Sequence, residues 1–277
     1  MTTIALLLLL AAAAIHAGWN ALVKSDMDRF RSIALIAVFG SLSAVALLPF
    51  VPAPAQPSWP FMAASAAIQV GYCFALVRAY DHGDLASVYP IARGSAPVFV
   101  TIGAALFARE VPSTAGLMGI ALVSLGIFTL SLGSGRPSSK AIRAALITGL
   151  FIASYALVDG IGVRRAGSAI GYIVWQAVLA STLIALSYVV TRRQLPKMPG
   201  GNASVALGIA GVLSALAYGI SVWAMSLSEM GAVSAVRETS ILFAALFGAV
   251  LLKEKLTLPK LTGIGVVTLG VVTLSQA

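Results

Sequence analysis

Apolar and polar positions fall along this chain in long blocks. Ten apolar segments, over residues 3–23, 31–50, 58–80, 85–107, 112–132, 141–161, 168–190, 203–226, 231–252 and 257–275, approach the ~17 to 25 residues with which a helix crosses a hydrocarbon core. Short connectors such as PFVPAPAQPSWP, GSGRPSSK and TRRQLPKMPGGN separate them, rich in the Pro, Gly and charge that end helices. None is long enough to be a soluble domain. In lipid each backbone polar group needs an internal partner, which helices provide. The pattern predicts an all-α membrane protein with about ten transmembrane helices.

Composition agrees with that solvent. The 277 residues are 59% hydrophobic and 10% charged, against about 25% charged in soluble domains. The net charge of +9 would suit nucleic acid only if the cations shared a solvated face, and here they sit in clusters between apolar runs. The expected surroundings are the lipid bilayer, with no nucleic acid. A single cysteine, Cys73, excludes an internal disulfide. The first segment has the apolar core of a secretory signal but lacks its basic start and continues through Trp19, Asn20 and Leu22, which favours a retained helix.

The chain also repeats itself. LFAREVPSTAGLMGIALVSLGI near 106–127 returns as VLLKEKLTLPKLTGIGVVTLGV near 250–271, pairing Glu110 with Glu254, Gly119 with Gly263 and Gly126 with Gly270, each 144 residues apart. The same offset sets Arg93 on Arg237. A looser match sets NALVKSD at 20–26 on YALVDGI at 155–161, so Tyr155 falls on Asn20. Two units are expected, 1–135 and 136–277, with five helices each. Five is odd, so the second unit enters the membrane from the other side, an inverted repeat of the kind that places transporter sites at the midplane.

Charge tests that topology. Lys24, Arg29, Arg31 and Arg78 lie in the first and third loops, and Arg136, Lys140 and Arg143 lie between the halves. Arg192, Arg193, Lys197, Lys253, Lys255 and Lys260 occupy the corresponding inverted positions of the second half. Only Arg109, Arg164 and Arg165 fall on the opposite side, 13 cations against 3 with Arg93 and Arg237 set aside. The positive-inside rule then puts the rich loops in the cytoplasm and both termini outside.

The duplicated segment, an acidic residue followed by a Gly-rich helix, resembles the drug/metabolite transporter superfamily, EamA type, over essentially the whole chain. The architecture is similar to that of its amino-acid exporters of the YddG type. The resemblance implies ten helices around a cavity open alternately to each side, and movement of small metabolites without ATP. It also implies a multi-pass plasma-membrane protein, as in a bacterial inner membrane. Members are often drawn with both termini in the cytoplasm, opposite to the charge count.

Polar residues inside the spans are the candidate chemistry. Arg93, in SVYPIARGSAPVFV, lies about 12 Å into its helix at 1.5 Å per residue. At least ~2.5 to 3.5 kcal/mol opposes an arginine at the bilayer centre, so it should face a wet cavity or a partner. Arg93 and Arg237, on equivalent helices, should face one another, and guanidinium forks suit a carboxylate or phosphate. Glu238, where the first half has Gly94, is expected as the acid inside a span, to bind an amino group, carry a proton or offset an arginine. A structural ion pair is the plainer alternative. Pro90 and Pro97 should loosen the backbone around Arg93, because each removes a helical hydrogen bond.

His16, Trp19 and Asn20 share one face of the first helix at i, i+3 and i+4. Tyr89 precedes Arg93 by one turn, and Gln69 and Tyr72 stand one turn apart on the third helix. Tyr155, Trp175, Gln176 and Tyr218 complete the expected cavity lining for a small organic solute. Each alone is as well explained by packing or interhelical hydrogen bonds.

Gly116, Gly119, Gly126 and Gly133, then Gly263 and Gly270, make small-residue faces for packing within the fold or for a homodimer of an otherwise monomeric protein. No metal cluster, Walker-type loop or nucleophile with base and orienter is present, so neither cofactor nor enzyme activity is expected. The sequence thus points to a secondary active transporter working by alternating access, in the export direction. Its cargo is expected to be a small zwitterionic or anionic metabolite. The resemblance favours an amino acid; organic acids and phosphorylated or phosphonate compounds also fit. Two alternatives are an exporter of cationic drugs, which needs an acidic cavity, and a structural membrane protein without flux.

Overall fold

The computed structural model describes residues 1–23, 28–81, 85–131, 137–251 and 257–277. Lys24, Gly133, Arg136, Lys253, Glu254 and Lys255, used above for charge and repeat, lie outside the described residues. The helices are α1 (Thr3–Val23), α2 (Arg29–Leu47), α3 (Trp59–Tyr80), α4 (Leu85–Gly103), α5 (Thr114–Ser131), α6 (Ser139–Val163), α7 (Ala169–Arg192), α8 (Asn202–Leu227), α9 (Met230–Arg237), α10 (Ser240–Leu251) and α11 (Leu258–Gln276). Among the described residues, nine helical stretches are long and apolar enough to span a membrane, with α9 and α10 joining in one of them; α5 is a shorter apolar helix. Together they give the all-α, multi-pass membrane protein with about ten crossings that the apolar blocks predict.

Local chemistry sets the helix ends. Asp28 Oδ1 accepts from the Arg31 amide at 3.1 Å, while Ser138 and Ser168 cap α6 and α7 through the Ala141 and Gly171 amides. Beyond Gly103, α4 widens into a π turn, Ala104–Ala108, and stops at Arg109 in the left-handed region. Leucines and phenylalanines such as Leu7, Leu42, Leu106, Phe107 and Leu150 are exposed on the outside. That is an inversion of a soluble protein and marks the lipid face.

Small residues set the closest packing. The facing helices are α3 on α6, α1 on α8, α4 on α6, α1 on α10, α3 on α7, α2 on α8, α2 on α7, α5 on α11 and α4 on α9. Along α5 and α11 the glycines expected at a small-residue face meet each other: a Cβ at Gly126 would lie 2.8 Å from the Val267 amide nitrogen, and one at Gly270 2.9 Å from the Gly119 carbonyl. Gly119, Gly126, Gly263 and Gly270 are thus spent inside the fold.

The prolines do not break α4, which runs unbroken through Pro90 and Pro97. The break falls instead in the proline-free crossing, between Arg237 of α9 and Ser240 of α10. There the backbone tightens to i→i+3 bonds, with Thr239 N–H on Val236 (3.1 Å), Ile241 on Glu238 (3.2 Å) and Leu242 on Thr239 (2.8 Å). Such a tight turn inside a crossing reorients the residues it contains.

Candidate functional site

The reoriented residue is Glu238, and its carboxylate sits between the two arginines. Glu238 Oε2 is 2.6 Å from Arg93 Nε, and Oε1 accepts from Arg237 Nη2 at 3.2 Å. Arg93 Nη2 also donates to Ser240 Oγ at 3.0 Å, the first residue beyond the break. The arginines 144 residues apart in sequence therefore do converge. Each ion buried in this way costs several kcal/mol of lost hydration, so a shared carboxylate makes two such arginines tolerable.

In front of the arginines lies a cavity of about 890 Å³. Arg93 and Arg237 line it, and Glu238, fully buried, stands behind them outside its wall. Glu238 is thus a counterion of the arginines, with both oxygens occupied, and it is not placed to touch a solute's amino group. Tyr72, Tyr155 and Tyr218 form an aromatic arc with 5.7 Å between neighbouring ring centroids. The Arg93 guanidinium lies 5.4 Å over the Tyr89 ring and that of Arg237 5.9 Å over Tyr218.

The predicted face of α1 is also present. His16, Trp19 and Asn20 line the cavity, the His16 and Trp19 rings meet edge to face at 5.1 Å, and Asn20 donates to the His16 carbonyl at 2.8 Å. Gln69 reaches the wall while donating to Ser65 Oγ at 3.1 Å. Gln176 lines the cavity from α7. Trp175 does not: it is 41% exposed on the outer side of α7 and absent from the lining. One step of 100° between neighbours separates a cavity residue from a lipid-facing one.

Two features escape the sequence reading. Asp159, in the expected span 141–161, is fully buried, so Glu238 is not alone as an acid inside a crossing. Its oxygens take the hydroxyls of Tyr172, at 2.8 Å, and Tyr218. Tyr218 thus ties the aromatic arc to a carboxylate in the second layer. The only sequence signal was the aspartate in YALVDGI, which the repeat match sets against a loop lysine.

The second is a closure. The cavity wall extends to the exposed Arg29 at the start of α2 and to Tyr80 at the end of α3, both at one end of the bundle, where Arg29 stacks 4.3 Å over the Tyr80 ring. The opposite end is covered. Met62, Val163, Ala166, Tyr172 and Val222 pack there, and Glu110 forms an ion pair with Arg164. Arg164 also donates to the carbonyls of Met225 (2.9 Å) and Ser228 (2.8 Å), and Glu110 accepts from the Met230 amide at 3.0 Å. Three connections are latched by one pair. Arg164 was visible in sequence only as a stray cation.

Arginines at the floor of a cavity that is shut at one end and lined to the other is an arrangement of solute passage. Comparison with known families bears on that reading. Residues 139–276 match the EamA-like transporter family. The EamA-like match takes in Gln176, Tyr218, Arg237 and Glu238 and fits a transport role. A solved structure described as a crystal structure of a protein is similar over 100% of this chain and 98% of its own, with TM-score 0.81 and 15% identity, a likeness of fold alone. No curated protein sequence matches the chain.

Proposed function

We propose that this protein is a secondary active transporter that moves a small zwitterionic or anionic metabolite by alternating access, in the export direction. Amino acids, organic acids and phosphorylated or phosphonate compounds are the solutes of that kind. The observation that carries the reading is the paired Arg93 and Arg237 at the floor of an 890 Å³ cavity covered at one end by the Glu110–Arg164 latch.

The two halves, 1–135 and 136–277, are the moving parts. Helix pairing supports an inverted repeat. Exchanging α1–α5 with α6, α7, α8, α9–α10 and α11 carries α3·α6 onto α8·α1, α4·α6 onto α10·α1 and α3·α7 onto α8·α2. It returns α2·α7, α5·α11 and α4·α9 to themselves. Packing of this kind has two equivalent arrangements, which alternating access requires.

The mouth lies at the cation-rich end, which the positive-inside rule sets in the cytoplasm of a plasma membrane. Loading from that side is export. A cationic drug finds poorer terms, because among the described residues of the lining no acid is present. The test is counterflow into liposomes with labelled amino acids, organic acids and phosphonates. Saturable flux that is lost in Arg93→Ala and Arg237→Ala at equal reconstituted protein supports the reading. Full flux in both variants overturns it.

A further inference from the structure

Resting on the transport reading above, we infer that the cavity selects organic monoanions that carry a hydroxyl or amide group apart from the carboxylate. Two observations lead there, one of charge and one of hydrogen bonding.

Charge sets the first limit. Arg93 and Arg237 face the cavity with one carboxylate between them, and both oxygens of that carboxylate are engaged. At the floor itself the two guanidiniums exceed the one carboxylate by one positive charge; the Asp159 carboxylate lies one layer further back, held by the Tyr172 and Tyr218 hydroxyls. Arg237 Nε, buried, has no hydrogen-bond partner among the described residues and marks where the spare donor capacity lies. A monoanion restores neutrality in a low-dielectric site. A dianion leaves one negative charge over, and a neutral ester supplies none. A zwitterion brings an ammonium for which the described lining has no carboxylate.

Gln176 sets the second. Its side chain is 2% exposed and lines the cavity, yet among the described residues neither Oε1 nor Nε2 has a partner. It projects from α7, which packs on α2, α3 and α8, whereas the arginines stand on α4 and α9. A buried primary amide left open at both ends is costly unless a solute completes it, and it offers one donor and one acceptor to the same group. A hydroxyl or an amide answers both. A site built to hydrogen-bond such a group rejects the analogue that lacks it.

The experiment uses five matched solutes on the full-length protein in nanodiscs, with binding read by titration calorimetry. They are 3-hydroxybutyrate, butyrate, methyl 3-hydroxybutyrate, malate and threonine. We expect 3-hydroxybutyrate to bind at least about tenfold more tightly than each of the others. In Gln176→Leu the advantage over butyrate should vanish while butyrate affinity stays the same. Thermal stability of that variant should be unchanged or higher, since an unpaired amide is replaced by an apolar group of similar size; a merely structural glutamine would lose stability instead. Tighter binding of malate, threonine or the ester, no binding of any of the five, or a hydroxyl preference retained in Gln176→Leu overturns the inference. Counterflow of the same solutes in liposomes keeps the two readings apart. Selective binding without flux removes the transport reading and leaves the ligand class standing, whereas flux of threonine or malate alone does the reverse.

Discussion

Arg93 and Arg237 reach the cavity floor from two crossings whose backbones differ. The first, α4, contains Pro90 and Pro97 and stays helical from Leu85 to Gly103, whereas the second has no proline and divides into α9 and α10 at Glu238 and Thr239. A proline costs a helix one hydrogen bond, here those of the Arg93 and Ala86 carbonyls, yet α4 keeps its helical course. The side-chain bonds nearby, Thr101 Oγ1 to the Pro97 carbonyl at 2.8 Å and Ser95 Oγ to that of Ala92 at 3.1 Å, fall on other carbonyls. The tight turn in the other crossing brings a carboxylate between two guanidiniums. The break thus falls where a carboxylate meets two guanidiniums and not where the prolines lie.

The comparison breaks most severely at Glu238. Glu238→Gln leaves two buried guanidiniums without a counterion, and removing one partner of such a group costs roughly 3–5 kcal/mol. We expect it to lower the melting temperature in detergent more than any other single change in either crossing, with Glu238→Asp intermediate. A variant that melts like the parent would show that the acid is not what holds the break in place.

The two arginines should then separate. Arg93 makes the 2.6 Å contact and the bond to Ser240, while Arg237 has the longer 3.2 Å contact and an Nε without a hydrogen-bond partner among the described residues. Arg93→Gln is therefore expected to cost about 1.5–3 kcal/mol more stability than Arg237→Gln, as one further hydrogen bond to a charged group would. Solute affinity should fall more in Arg237→Gln. Chemical denaturation paired with calorimetric titration measures both, and equal losses in the two variants would erase the distinction.

Much of the fold was legible because membrane helices announce themselves by length: nine of the spans read from apolar blocks end within a few residues of the described helices, and Arg93 and Arg237 were matched by a 144-residue offset. What stayed hidden was direction around each helix axis. In a crossing that is apolar all round, no stripe tells core from lipid, so Trp175 and Gln176 looked alike and only one faces the cavity. The latch was hidden for another reason. Glu110 and Arg164 are distant in sequence, sit in short connections, and meet only once the helices have packed. Asp159 was obscured by its place near a helix end, where an acid is ordinary.

A subtler change probes Ser240, which ties α10 to Arg93. Ser240→Ala removes one hydrogen bond to a charged donor and should cost about 1.5–3 kcal/mol, with helix content by circular dichroism unaltered. No loss of stability would mean that the Glu238 contact alone fixes Arg93.

The smallest effect is expected where the sequence drew most attention. Pro97→Ala returns an amide whose helical partner is the Arg93 carbonyl, and α4 is already helical on both sides of it. The variant gains a bond without having to straighten a bend, so stability should rise by about 1 kcal/mol, with flux of any transported solute unchanged. If α4 must flex at Pro97 during the transport cycle, the added bond would instead slow counterflow while still raising the melting temperature. Those two readouts, taken together on one variant, decide whether the hinge belongs to the proline crossing or to the turn at Glu238.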